Sequence, residues 1–302
     1  MDIKSKIFLI AGPTASGKSS FALKLAKKIN GEIINADSMQ VYKELNILTA
    51  RPKKEDQKII KHHLYGFQSV KKNFSTGQWL TLVKKKIKEI KKKNKIPILV
   101  GGTGLYFKAI IEGLVKIPKI PLKLRNQVRD LQKKLGQGEF YKRLIKIDPL
   151  AKNKINPKDP QRSIRAYEVK KYTNVSLIDW FKKTDKKFED KDFLKIYIEF
   201  PRHDLIERIN KRVHEMFKNG VIHEVKRFLK IKVKKDRSSN KTIGIKEIDH
   251  FLMGEYDLRT VKDLISIKTR QYAKRQSTWA RGHMSSWQKI DYRDLSTFLK
   301  KF

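Results

Sequence analysis

The 302-residue chain contains no cysteine, which excludes disulfides, thiolate metal sites and cysteine nucleophiles. It also lacks any apolar run near the ~20 residues that a membrane-spanning helix requires. The apolar stretch in the N-terminal MDIKSKIFLIAGP is short and stops at a glycine turn, so no secretory signal is expected there. Acidic residues are few: 31 Asp and Glu stand against 71 Lys and Arg, a net charge of +40. Arginine is scarce as well, at 16 residues, so lysine supplies most of that charge. The lysine excess reads as solvated surface. The arginines carry more information, because only their planar fork binds phosphate or carboxylate through two parallel bonds.

Hydrophobic residues make up 39% of the chain and Trp, Tyr and Phe are all represented. The chain can therefore bury a core, which excludes wholesale disorder. A surface this basic attracts polyanions, nucleic acid first among them. Freedom from cysteine, membrane spans and a signal fits a cytoplasmic protein.

Short apolar runs alternate with helical patterns over the first hundred residues. Lys6–Ala11, Glu32–Ala36 and Ile96–Val100 read as strands, each ending in a turn. Between the last two, Trp79, Val83, Ile87 and Ile90 recur at the spacing of one helix face. The expected fold class is α/β: a P-loop core with a parallel sheet flanked by helices, plus a helical insertion domain. Pro118 and Pro121 mark a change of pattern, with loops at Gly136–Gly138 and Asn156–Pro160, and no further strand appears until Phe193–Phe200. The expected domains are 1–118 as the first part of the core, 119–190 as the helical insertion, and 191–302 as the return to the core with a helical C-terminal part.

Gly12-Pro13-Thr14-Ala15-Ser16-Gly17-Lys18-Ser19 satisfies G-x-x-x-x-G-K-S/T between a strand and a helix. In that context loop N–H groups and the helix N-terminus close around phosphate oxygens. Lys18 is expected to reach the outer phosphate, and the Ser19 hydroxyl to hold Mg²⁺. Asp37 ends the strand after the P-loop helix, and Thr103, in Gly101-Gly102-Thr103-Gly104, follows the next strand. Both strand ends should open on the mouth of the P-loop, where α/β folds place ligands. A carboxylate and a hydroxyl beside a phosphate cradle suit deprotonation of a nucleophile that displaces the phosphate. The glycines around Thr103 are expected to admit a flat substrate close to the backbone.

GPTASGKS, NADSMQVY, GGTGLYFKAIIEGL, DPQRSIRAYEV and TRQYAKRQSTWARG follow one another from residue 12 to residue 282. In that order they resemble the tRNA dimethylallyltransferase family along essentially the whole chain. The resemblance implies transfer of a dimethylallyl group from dimethylallyl diphosphate to the exocyclic amine of the adenosine 3′ of the tRNA anticodon. It implies that Thr14 to Ser19 hold the diphosphate with Mg²⁺, that Asp37 is the general base, and that Arg212 helps neutralise the diphosphate. Thr103 matches a residue contacting the target nucleotide. Asp37, Ser38, Met39 and Gln40, with Gln161, Arg162, Ser163, Ile164 and Arg165, match tRNA-contacting segments, as Arg125 matches a tRNA-contacting arginine. Dimethylallyl diphosphate and tRNA are the expected partners of a monomeric, membrane-free enzyme.

Two stretches depart from the family pattern. Lys241-Thr242-Ile243-Gly244-Ile245-Lys246 stands where many members carry arginine and an aromatic, so Lys241 and Lys246 are expected to touch tRNA as point charges. His62-His63-Leu64-Tyr65-Gly66 has glycine where some members have aspartate, and its histidines are expected to be structural. Near the C-terminus, Arg270, Lys274 and Arg281 fall on one helix face, with Val261, Tyr272 and Trp279 opposite as its apolar anchor. A P-loop kinase, a free-nucleotide isopentenyltransferase and a non-catalytic RNA-binding module each explain only part of these features.

Overall fold

The computed structural model describes residues 3–184 and 186–302. Met1 and Asp2, which open the N-terminal run, lie outside the described residues, as does Asp185 within the expected insertion. The chain forms two compact units, one of residues 1–109 with 188–302 and the other of Ile110–Lys187. Among the described residues no helix is long and apolar enough to cross a membrane.

The first unit is built on β1 (Ile7–Ala11), α1 (Lys18–Lys28), β2 (Gly31–Asn35), α2 (Lys54–Ile59), β3 (His62–His63), α3 (Thr76–Lys91), β4 (Ile96–Gly101) and α4 (Gly104–Glu112), the last crossing the boundary of the second unit. The second unit carries α5 (Leu122–Ile147), α6 (Pro160–Thr173) and α7 (Leu177–Lys182). The chain then returns through β5 (Phe193–Glu199), α8 (Arg202–Lys218), α9 (Val221–Lys230), α10 (Ile245–Leu252), α11 (Leu258–His283), β6 (Gln288–Asp291) and α12 (Leu295–Leu299).

The six strands run in the order β3-β2-β4-β1-β5-β6, and every neighbouring pair is parallel. β1, β2 and β4 are buried along their whole length, as strands covered on both faces must be. Register levels their carboxyl ends: Ala11 pairs with Gly101 and Tyr197, and Asn35 with Val100. The P-loop, Asp37 and Thr103 leave the sheet along this edge. Phe21, Leu25 and Ala26 of α1 pack with Phe8, Ile98 and Ile196 in one core cluster. On α3, Trp79, Val83, Ile87 and Ile90 are buried, and the Trp79 indole donates to the Asn35 carbonyl at 2.9 Å.

β3 and β6 were not expected. β3 has two residues, and of β6 only Ile290 is buried, so neither carries an apolar run. His63 Nε2 lies 2.6 Å from the buried Glu32 carboxylate, which Lys95 also reaches at 3.1 Å. That arrangement joins β3 to β2 as a structural contact.

In the second unit α5 is interrupted by Gly136 alone, at φ 71°. Asp159 caps α6 by accepting from the Arg162 N–H at 3.0 Å, and Pro160 occupies the first turn. The Asp-Pro of the DPQR segment is thus a helix start.

Candidate active site

Ala15 and Gly17 both take positive φ, 65° and 83°, the kind of backbone turn from which anion-binding loops are built. Gly12 cannot carry a side chain, because a Cβ would stand 2.9 Å from Ser16 Oγ and 3.2 Å from the Ile198 carbonyl oxygen. The Ser16 hydroxyl is buried without a hydrogen-bond partner. Lys18 folds back to donate to the Pro13 carbonyl at 3.0 Å. Burial pulls its ammonium down to about 8; the Asp37 carboxylate opposes that fall and the Arg212 guanidinium adds to it. Arg212 donates to the Thr14 hydroxyl at 2.9 Å, while its Nε is buried and unpartnered.

A cavity of about 520 Å³ stands over this loop, and Ser19, Asp37, Ser38, Met39 and Gln40 line it with Lys18. Five cations face it, namely Lys18, Arg208, Arg212, Lys241 and Arg275, against Asp37 as the sole carboxylate in its lining. Such a surplus of positive charge in a partly desolvated cleft attracts anions. Sequence reasoning missed Arg208 and Arg275. Arg208 lies over the Phe200 ring at 5.1 Å and comes within 3.4 Å of where a Gly17 Cβ would stand. Its spacing from Arg212, four residues along α8, was the available signal. Lys246, on α10, is exposed and is not among the residues lining the cavity.

Asp37 is braced by Asn35, whose Oδ1 accepts from the Asp37 N–H at 2.8 Å and whose Nδ2 donates to the Asp37 carbonyl at 2.9 Å. Asp37 Oδ1 accepts from Met39 N–H at 2.8 Å and Gln40 N–H at 3.4 Å. Oδ2 has no hydrogen-bond partner among the described residues and is available to a ligand. Thr103 Oγ1 accepts from the Ser38 N–H at 2.9 Å, which locks the ends of β2 and β4 together. Burial, and after it the Asp37 charge, holds the Tyr65, Tyr106 and Tyr272 hydroxyls well above their ordinary value. These phenols stay neutral, which leaves Asp37 as the one carboxylate lining the cavity.

The glycines beside Thr103 admit a neighbour that the sequence did not suggest. A Cβ on Gly102 would stand 2.1 Å from Gln276 Nε2, and one on Gly104 would stand 2.2 Å from the Trp279 ring. They let α11 approach, and both also line the smaller cavity beside Thr103. The reading of α11 changes with them. Its core seam is Val261, Ile265, Ala273 and Ala280, while Tyr272 and Trp279 line a cavity of about 230 Å³ with Gly12, Thr103 and Phe107. The aromatics sit beside the small alanines on the helix, so the alanines take the close contact and the rings reach the site. Arg270, Lys274 and Arg281 line a third cavity of about 780 Å³ with Leu205 and Met284.

Arg125 and residues 161–165 belong to the second unit. Arg125 and Arg165 lie 3.7 and 3.6 Å from the two oxygens of Glu168, which is 2% exposed. Gln161 and Arg162 are exposed. Ser163 is fully buried and donates to the Asp159 carbonyl at 2.8 Å, and Ile164 packs on the unit's own core.

The family model described as IPP transferase matches residues 40–283. A tRNA dimethylallyltransferase of Pelagibacter ubique is 63% identical over 100% of this chain and 96% of its own length. One from Rickettsia massiliae is 43% identical over 98% of this chain and 82% of its own. Among solved structures, the full-length tRNA isopentenylpyrophosphate transferase of Bacillus halodurans superposes with a TM-score of 0.70 at 32% identity, covering 98% of this chain and 95% of that one. A eukaryotic dimethylallyltransferase acting on tRNA gives 0.84 at 29% identity, over 96% and 75% of the two chains.

Proposed function

The chain belongs to the IPP transferase family, and on that footing we propose that it transfers a dimethylallyl group from dimethylallyl diphosphate to N6 of the adenosine 3′ of a tRNA anticodon. The observation that carries the reading is the P-loop cavity, lined by five cations and a single carboxylate. As the carbon–oxygen bond breaks, its electron pair leaves with the diphosphate. Lys18, Arg212 and the loop N–H groups stabilise that charge. The allylic carbon bonds to N6, and the amine proton passes to the free Oδ2 of Asp37.

The donor set fits Mg²⁺. Ser19 offers an exposed hydroxyl at the start of α1, and Asp37 lines the same cavity. Mg²⁺ typically needs only one or two protein oxygens beside phosphates and water. Bound there by Ser19, it would supply further charge for the departing diphosphate. In this reading Ser38, Met39, Gln40, Thr103, Lys241 and Lys246 meet the anticodon loop, as do Arg125 and the α6 start at Gln161–Arg165. The enzyme is taken as a cytoplasmic monomer. Radiolabelled dimethylallyl diphosphate with unmodified tRNA should give labelled RNA. No labelled RNA there, with transfer of label from radiolabelled ATP to a small molecule in a parallel assay, would assign a kinase instead.

A further inference from the structure

Gln276 has no role in the mechanism above, yet its side chain sits between both halves of it. The last registered pair of β1 and β4 is Ala11 with Gly101. Beyond that pair the chain divides into the P-loop, which holds the anion cavity, and the Gly102–Gly104 segment, which carries Thr103. From α11, Gln276 Oε1 accepts from the Thr14 N–H at 2.8 Å. Its Nε2 donates to the Gly102 carbonyl at 3.0 Å. A single amide therefore ties both loops, using an acceptor toward one and a donor toward the other. The fit leaves no slack, since a Cβ on Gly102 would fall 2.1 Å from Nε2. Thr14 also receives the Arg212 bond through its hydroxyl, so the residue Gln276 holds is itself part of the anion site. The Tyr272 hydroxyl lies beside Gln276 and Thr103, one helical turn earlier on α11.

We infer that Gln276 is a positioning residue that fixes the spacing between the phosphate cradle and the Thr103 loop, and so between the two substrates. The inference rests on the proposed transferase reading. Gln276 binds neither substrate in this role. Its loss leaves each site intact and disturbs only their alignment, an effect that reaches about 10²-fold in rate for a misplacement near 1 Å.

Two variants separate this role from a merely structural one. Gln276→Met keeps the length and removes both bonds. Its kcat for tRNA labelling should fall by about 10²-fold, with both KM values within about threefold of wild type. Gln276→Glu keeps the acceptor toward Thr14, but its carboxylate faces the Gly102 carbonyl oxygen with no proton to give. Protonation of that carboxyl restores the donor. The ratio of Gln276→Glu to wild-type kcat should therefore climb as pH falls, while the Gln276→Met ratio stays flat. The change of that ratio with pH does not depend on how much of the Gln276→Glu preparation is active, so it remains decisive if Gln276→Met is poorly folded. Wild-type kcat in Gln276→Met, a rise in KM alone, or a pH-independent ratio for Gln276→Glu would each overturn the inference. Absence of labelled tRNA with the wild-type enzyme would instead overturn the transferase reading.

Discussion

Arginines are handled in opposite ways in the two units. Around the P-loop, Arg208 and Arg212 line the cavity and, among the described residues, neither has a salt-bridged carboxylate. Burial lowers the Arg212 pKa from its ordinary value, with Asp37 opposing. In the second unit Arg125 and Arg165 share the buried Glu168, and Arg162 sits 3.4 Å from Asp159. An unpaired buried cation costs desolvation energy that only an anion can return. The first pattern supports the proposed diphosphate site. The second pattern fixes the forks of Arg125 on α5 and of Arg162 and Arg165 on α6 in place.

That contrast breaks first at Asp37, the lone carboxylate among the P-loop cations. Asp37→Asn keeps the shape and the bonds from Met39 and Gln40 but cannot take a proton. Its kcat should fall by about 10²–10⁴-fold with nearly unchanged KM for both substrates. Retention of more than about a tenth of wild-type kcat would reduce Asp37 to a hydrogen-bonding role.

Lys18→Ala should lower kcat by about 10²–10³-fold, the usual cost of one donor to a developing anion, while tRNA still binds. The same lysine predicts a pH effect. Its free ammonium titrates at about 8, and a bound diphosphate raises that value. Below pH 8 the group is charged with or without ligand, and affinity is flat. Above pH 8 the free enzyme must take up a proton to bind, so Kd rises by up to about tenfold per pH unit. Calorimetric titration of pyrophosphate into wild type and Lys18→Arg isolates the lysine, because the arginine variant lacks this dependence.

Arg208 tests whether the unpaired set includes a member that is exposed. Arg208→Ala should raise KM for dimethylallyl diphosphate by about tenfold, one charge-assisted contact, and leave the tRNA KM alone. The smallest effect belongs to the paired set. Glu168→Gln frees Arg125 and Arg165 from their common anchor, so tRNA binding should weaken by only a few-fold and donor binding should not change. Equal loss of both ligands would mean that Glu168 supports the fold, not the arginines.

Much of the first unit was readable because burial fills β1 and β4 with apolar residues and leaves short apolar stretches in β2 and β5. β6, with Gln288 and Lys289 exposed, shows no such run, and it exists because β5 offers it an edge. The P-loop was readable because its geometry is contiguous in sequence. Gln276 was not, since its partners Thr14 and Gly102 lie 262 and 174 residues away. The glycines at 102 and 104 were noticed for their small size, but the approach of α11 to them was not. Only the fold reveals that a helix fills that space.

The sheet order also governs how the chain comes to be made. β1 is central, between β4 and β5, and β5 is the later of the two to be synthesised. During translation the strand that carries the P-loop therefore has one open edge until residues 193–199 leave the ribosome. The helical unit at 110–187 is complete before then and contains its own core. Local helix pairs form faster than distant parallel strands, so the inserted unit should be folded while the catalytic half still waits for its closing strand. An exposed parallel edge is prone to aggregation, which makes the interval before β5 emerges the vulnerable stage of biosynthesis.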